Sequence, residues 1–173
     1  MDADPAIAAR SLVNKHVVKM IVESCQLLST AHRVLDGQLV TQLTAKGRKK
    51  KHWQLSGYRD NVLYKVTHVN HPSAIWVRTS VANYRWLLNH LYALLEEYTY
   101  RYGKIHKCQI KQLRELALPP VNLTNIVPTE IPCVMPIEYI VAGDPVASYR
   151  NYYQHGKTHL HVWKNRDKPD WII

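Results

Sequence analysis

An apolar repeat with helical spacing runs from residue 12 to residue 35 and constrains the fold more than any other feature. Its members are Leu12, Val13, Val17, Met20, Ile21, Leu27, Leu28, Ala31 and Leu35. This spacing predicts one long amphipathic helix whose apolar stripe packs against a core. The helix is predicted to begin between Pro5 and Ser11, because proline suits a first helical turn. Asp36 and Gly37 are predicted to end it.

A second apolar stripe of the same period predicts another long helix over residues 80–102. The stripe consists of Leu87, Leu88, Leu91, Leu94, Leu95 and Tyr98. Gly103 is its predicted C-cap. A shorter helix is predicted over residues 106–118, and a further one starts at Asp144, the predicted N-cap before a proline.

The rest of the chain adds no second core. Residues 119–138 carry five prolines interleaved with apolar residues and are predicted to cross the domain in extended form. A chain of 173 residues is most simply one domain. We therefore predict a mainly α protein, with a single compact helical domain of four or five helices over residues 1–173.

A small β-hairpin is predicted at about residues 38–67. QLVTQLT, residues 38–44, and NVLYKVTHV, residues 61–69, have the composition of short strands. Between them, KGRKKKHW forms a basic loop with Gly47 at its turn. Such a loop is either a solvated charge run or a finger for phosphate contact and stacking.

The charge of the chain favours a polyanionic partner. Lys and Arg outnumber Asp and Glu by 23 to 13, which gives a formal charge of +10 and a pI of about 9.6. Nucleic acid or a nucleotide is the predicted partner, while an unspecific basic surface and an anionic membrane are the alternatives. No apolar run approaches the roughly 18 residues of a membrane span. Three widely spaced cysteines favour a reducing compartment, so a cytoplasmic location is predicted.

The polar side of the first helix carries a candidate catalytic set. His16, Lys19 and Glu23 lie within about one third of the helix circumference, since successive residues advance by roughly 100°. Burial and a neighbouring lysine shift the proton affinity of a carboxylate in opposite directions, which suits a general base. The alternative is a solvent-facing stripe with a weak Lys19–Glu23 ion pair.

Two clusters that alternate basic and aromatic residues are candidate nucleic-acid contacts. One lies at residues 96–107 and the other at residues 148–157, and the basic loop adds two lysines. Arg101 and Lys104 alternatively interact only with the dipole at a helix C-terminus. The predicted nucleic-acid-binding residues are Lys49, Lys50, Arg78, Tyr98, Arg101, Tyr102, Lys104, Arg150, Tyr152, Tyr153 and Lys157.

Neither a metal nor an organic cofactor is predicted. The pair His68 and His71, and the spacing of His155, His159 and His161, would suit imidazole ligands, but no cysteine pair or HExxH motif accompanies them. The sequence contains no GxGxxG, Walker or GxSxG motif. Nucleotide-fold enzymes and serine hydrolases therefore find no support.

Four stretches of the chain resemble a group of bacteriophage proteins with little assigned function. They are NKHVVKMIVESCQLLSTAHR, HPSAIWVR, EYTYRYGKIHK and YRNYYQHGK. A fainter resemblance reaches the small helical phage pyrimidine-dimer DNA glycosylases, whose first helix carries a D-Q-H motif followed by a catalytic Glu. Here His16 and Glu23 have the matching spacing. The aromatic end of that family is similar to SYRNYYQHGK, through Tyr149, Tyr152, Tyr153, Gly156 and Lys157.

The resemblance implies base excision on DNA inside a bacterial host cell. Glu23 would be the catalytic carboxylate and His16 would orient it, while tyrosines would support a flipped base. In that family the nucleophile is the α-amino group exposed when Met is removed; in this chain Asp2 follows Met1. A non-catalytic nucleic-acid or nucleotide binder, and an enzyme acting on a free or modified nucleotide, remain the two alternatives.

Overall fold

The computed structural model describes residues 2–173, and they form the mainly α domain that the sequence predicts. It contains eight α-helices and one two-stranded antiparallel sheet within the described residues. Several helices are a single turn long, which is why they exceed the four or five expected. No helix in residues 2–173 combines the length and apolarity needed to cross a bilayer.

The first predicted helix is split in two. Helix α1 spans Pro5–Arg10 and α2 spans Asn14–Asp36. Between them Val13 is extended and fully buried. The break has a tertiary cause, because the backbone N–H of Asn14 donates to the carbonyl of Val162 in the C-terminal tail at 2.9 Å.

Two long helices build the centre of the core. After α3 (Arg59–Val62) and α4 (Pro72–Val77), helix α5 runs over Val81–Tyr102 and packs against α2. Ser80 caps its start by accepting from the N–H of Asn83, and Gly103 ends it with a left-handed φ of 64°. The apolar stripes meet as predicted, with buried members of both helices in one cluster: Val17, Ile21, Cys25, Leu28, Tyr84, Leu88, Leu91 and Leu95.

The hairpin exists, but its second strand lies elsewhere. β1 spans Gln38–Leu43 and pairs with β2, Lys49–Gln54, so the basic stretch itself is the returning strand. A tight turn joins them, with Gly47 at a φ of 71°. The strand predicted at residues 61–69 is wrong, because Leu63 is buried and the segment is held by its backbone against α2.

The C-terminal third wraps around the helical pair. The helix predicted at residues 106–118 is divided into α6 (Lys107–Lys111) and α7 (Leu113–Leu116). Residues 121–136 contain no helix or strand, as expected for the proline-rich segment. Helix α8, Pro145–Asn151, begins at the predicted Asp144 cap and continues as a wider turn through Gly156.

Candidate nucleic-acid interface

The hairpin is a projecting basic ribbon. Every residue from 41 to 51 is exposed, and the ribbon is covered by no other element over that length. The chain has no acidic residue between Asp36 and Asp60, whereas the turn and β2 carry Lys46, Arg48, Lys49, Lys50 and Lys51. The charge of this element is therefore positive and locally uncompensated.

The strand register divides the ribbon into two faces. Paired residues lie on the same face of an antiparallel sheet. One face carries the pairs Val40–His52, Gln42–Lys50 and Gln38–Gln54. The other carries Leu39–Trp53, Thr41–Lys51 and Leu43–Lys49, with Leu39 and Leu43 largely exposed. Lys49 and Lys50 are thus neighbours in sequence that point to opposite faces.

A half-enclosed cavity of about 660 Å³ lies between the ribbon and the segment that follows it. The ribbon and residues 60–66 provide its walls. Its lining combines lysines, side-chain amides and an indole: Val40, Thr41, Gln42, Lys50, Lys51, His52, Trp53, Gln54, Asp60, Lys65 and Val66. This volume lies within the roughly 300–1,000 Å³ typical of ligand pockets.

A buried arginine of α2 fixes the base of the ribbon. Arg33 is fully buried and donates to the carbonyls of Tyr64 at 2.6 Å and Leu63 at 2.8 Å. It also donates to the Trp53 carbonyl at 3.0 Å, and it pairs with the Asp60 carboxylate. One guanidinium therefore ties the end of β2 to the segment that closes the cavity.

Asp60 carries a negative charge at the cavity wall. Its carboxylate pairs with Arg33, accepts from the N–H of Leu55 at 3.0 Å and lies 2.7 Å from Lys65 Nζ. Burial alone raises the pKa of Asp60, but the hydrogen bonds from Lys65 and Arg33 outweigh it and hold the pKa well below its usual range. The group is therefore ionised at neutral pH.

The candidate catalytic set lies away from this cavity. Lys19 Nζ is 3.1 Å from Glu23 Oε1, and the two side chains are 62% and 39% exposed. The Tyr153 hydroxyl and Nδ1 of His16 share a hydrogen bond. Burial, followed by the charges of Lys19 and Lys157, lowers the pKa of His16. His16 is therefore neutral, and it joins α2 to the aromatic segment at residues 149–157.

Four residues expected at the nucleic acid have structural partners instead. Arg101 is buried, where it binds Glu97 at 2.7 Å and Asn14 at 3.0 Å. Tyr153 is buried against His16. The remaining two bind backbone carbonyls: Arg78 donates to Val69 at 2.7 Å, and Tyr102 donates to Asn14 at 3.3 Å. The Arg101 guanidinium is held inside by the carboxylate of Glu97, which lies four residues earlier on the same helix.

The other predicted contacts lie on the surface or at its margin. Lys49, Lys50 and Lys104 are exposed. Lys157 Nζ lies 4.7 Å from the centre of the Tyr152 ring, and the Tyr98 ring is 5.0 Å from that of Tyr102. Arg150 pairs with Asp2 at 2.8 Å and lies over the Trp171 ring. Lys49 and Lys50 differ from these residues in lying on an element whose residues 41–51 are all exposed.

Sequence reasoning missed the residues that complete the cavity. Trp53 and His52 were visible in the basic run, but Asp60 and Lys65 join them only because α3 turns the chain back toward the ribbon. No three His, Cys, Asp or Glu side chains of residues 2–173 are grouped as a metal site.

Comparison with known proteins yields no match to a family model, a curated protein or a solved structure.

Proposed function

We propose that this protein binds nucleic acid through the basic hairpin, in the cytoplasm of its host. The observation that carries the proposal is the projecting ribbon, which presents five basic side chains between Asp36 and Asp60 without an acidic residue among them. Lysine ammonium groups on such an element neutralise phosphates and release counterions, which drives binding without reading sequence.

The ribbon is presented in a defined orientation, and this also supports the proposal. Arg33 and Asp60 hold the end of β2, so the lysines do not have to be ordered from a flexible loop when a ligand binds. Preorganisation of this kind reduces the entropy lost on association. The net charge of +10 adds long-range attraction for a polyanion.

The test compares two triple variants of equal charge change. Lys49, Lys50 and Lys51 are replaced by Gln in one variant, and the exposed Lys15, Lys104 and Lys168 in the control. Binding to a labelled oligonucleotide is followed by fluorescence anisotropy at several salt concentrations. The hairpin variant is expected to bind roughly 50-fold more weakly at about 0.15 M salt, and its salt dependence is expected to be shallower by about two counterions.

The control variant should lose far less affinity. Equal losses in the two triple variants would contradict the hairpin as the site, and absence of binding by the unmodified protein at low salt would contradict nucleic-acid binding altogether. Circular dichroism before titration verifies that both variants keep their helical content.

A second candidate is base excision of the pyrimidine-dimer glycosylase type. The observation that favours it is the His16–Tyr153 hydrogen bond, which joins the two segments that carry the resemblance. Glu23 would act one to two turns further along α2, where Lys19 is its partner. Tyr152 and Lys157 would lie beside the flipped nucleotide.

Borohydride trapping on a duplex with an abasic site or a pyrimidine dimer tests this candidate. A glycosylase with an amine nucleophile gives a covalent adduct, and Glu23→Gln should abolish base release while DNA binding persists. If no adduct forms and Glu23→Gln changes neither base release nor binding, the excision candidate is rejected and the binding proposal stands.

A further inference from the structure

We infer that the cavity beside the hairpin binds one unpaired nucleotide, so that the preferred ligand is single-stranded nucleic acid. The inference rests on the proposed function and specifies its ligand. Its starting point is the position of the cavity, which opens between the basic ribbon and residues 60–66. A strand whose phosphates follow the lysines passes this opening.

The lining matches the parts of a nucleotide. His52 and Val66 offer surface for a base, because His52 lies on the same ribbon face as Gln42 and Gln54 and an aromatic ring stacks on bases of any sequence. The side-chain amides of Gln42 and Gln54 both donate and accept, so they suit the polar edge of a base. Lys50 adds a positive charge on the ribbon face that also carries Gln42 and Gln54.

Charge sets the orientation of the bound nucleotide. The Asp60 carboxylate in the wall already pairs with Arg33 and Lys65, so these two cations are engaged. The hairpin lysines are exposed and lie in a stretch without an acidic residue, so they are the cations open to a phosphate. The phosphate therefore stays with the ribbon lysines, and the base enters the cavity.

A base that enters the cavity cannot remain paired. The cavity is half-enclosed between the ribbon and residues 60–66, so a base inside it has left its stack and its partner. Extraction of a base from a duplex requires unstacking and unpairing, whereas a single strand presents its bases already free. The expected preference is for single strands.

The experiment measures binding of labelled oligothymidylate of about a dozen nucleotides and of a duplex of the same length. The unmodified protein is expected to bind the single strand at least about tenfold more tightly at equal salt, given the contribution of one stacked base. His52→Leu should remove most of this preference, whereas Trp53→Leu on the opposite ribbon face should not. Arg33 binds the backbone carbonyl of residue 53, so its contact survives this substitution.

Lys50→Gln and Lys49→Gln form the matched pair. The two lysines are adjacent and both exposed, but only Lys50 lines the cavity. Lys50→Gln is expected to weaken single-strand binding more than Lys49→Gln. The loss of affinity in Lys49→Gln should not exceed the roughly fourfold effect of one phosphate contact. Thermal unfolding of each variant verifies the fold.

The outcomes separate the inference from the proposed function. Equal affinity for single strand and duplex, or equal losses for the two lysine variants, would overturn the inference that the cavity binds a nucleotide. The ribbon would then remain as a phosphate-binding surface. No binding of either oligonucleotide at low salt would overturn both.

Discussion

The polar stripe of α2, which begins with His16, Lys19 and Glu23, continues along the helix to Thr30 and the fully buried Arg33. At its C-terminal end the stripe is covered by residues 53–67, whose backbone groups need partners. Thr30 accepts from the N–H of Thr67 at 3.3 Å, and Arg33 donates to four carbonyls and pairs with the Asp60 carboxylate. The polar side chains at this end of α2 therefore provide hydrogen-bond partners for the loop that packs on the helix.

Replacing Arg33 by Lys tests this role. A lysine keeps the charge but cannot reproduce the planar set of donors, so several buried carbonyls lose their partner. We expect the free energy of unfolding to fall by about 3 kcal/mol in urea titrations. Lys65→Gln removes the exposed partner of the same Asp60, and its effect should remain below about 1 kcal/mol. Equal losses of stability in the Arg33→Lys and Lys65→Gln variants would contradict the stabilising role of the buried Arg33.

Two buried histidines predict that stability falls in mild acid. Burial lowers the pKa of His90 to about 4, and burial together with the charge of Arg59 lowers that of His32 to about 4. The unfolded chain titrates near 6.5, so it binds more protons than the folded chain between these values. The contribution of each histidine to the free energy of unfolding is therefore fully present above about pH 6.5. It declines toward pH 4, by up to about 3 kcal/mol per histidine.

Urea unfolding at a series of pH values measures this decline, and His90→Asn provides the comparison. His90 Nδ1 bonds the Pro5 carbonyl at 2.9 Å, and an asparagine amide retains a donor there without titrating. The variant should lose part of the decline between pH 6.5 and pH 4. An unchanged pH profile would contradict the assignment to His90.

At the scale of elements, the C-terminal tail is attached to α5 by one carboxylate. Glu97 is buried and accepts from Arg101 Nε at 2.7 Å and from Arg166 at 2.6 and 2.8 Å. Arg101 extends the network to Asn14, whose side chain also accepts from the N–H of Lys164 at 2.9 Å. Arg101, which was predicted to bind nucleic acid, thus joins the tail to the two long helices.

Glu97→Gln should release this attachment. Two buried or half-buried guanidinium groups would lose their counter-charge, and we expect a loss of about 3 kcal/mol in unfolding free energy. The adjacent Glu96 is exposed, so Glu96→Gln is the matched control with an expected effect within about 0.5 kcal/mol. Limited proteolysis should cleave the tail faster only in the Glu97 variant, and equal cleavage in both would contradict the attachment.

Helices α2 and α5 could be predicted from the sequence, because burial of one helix face gives their apolar residues a regular spacing. Strand β2 could not be predicted in this way. It is stabilised by its pairing with β1 and exposes its lysines, so its sequence has no alternation of apolar and polar residues. Lys49 and Lys50 were identified from charge alone. The buried state of Arg101 depends on the tail at Arg166 and on Asn14, which no local pattern reveals.

For the whole molecule, we propose that nucleic acid binds the projecting hairpin, while Arg101 and Arg150 of the other basic clusters pair with carboxylates. The hairpin is distant in sequence from the tyrosine-rich segments, so a footprint distinguishes the two surfaces directly.

Hydrogen exchange read by mass spectrometry, with and without saturating oligothymidylate at low salt, measures that footprint. We expect slower exchange over residues 38–54 and 60–66, with little change over residues 98–107 and 149–157. Protection confined to the two tyrosine-rich segments, with an unchanged hairpin, would contradict this expectation.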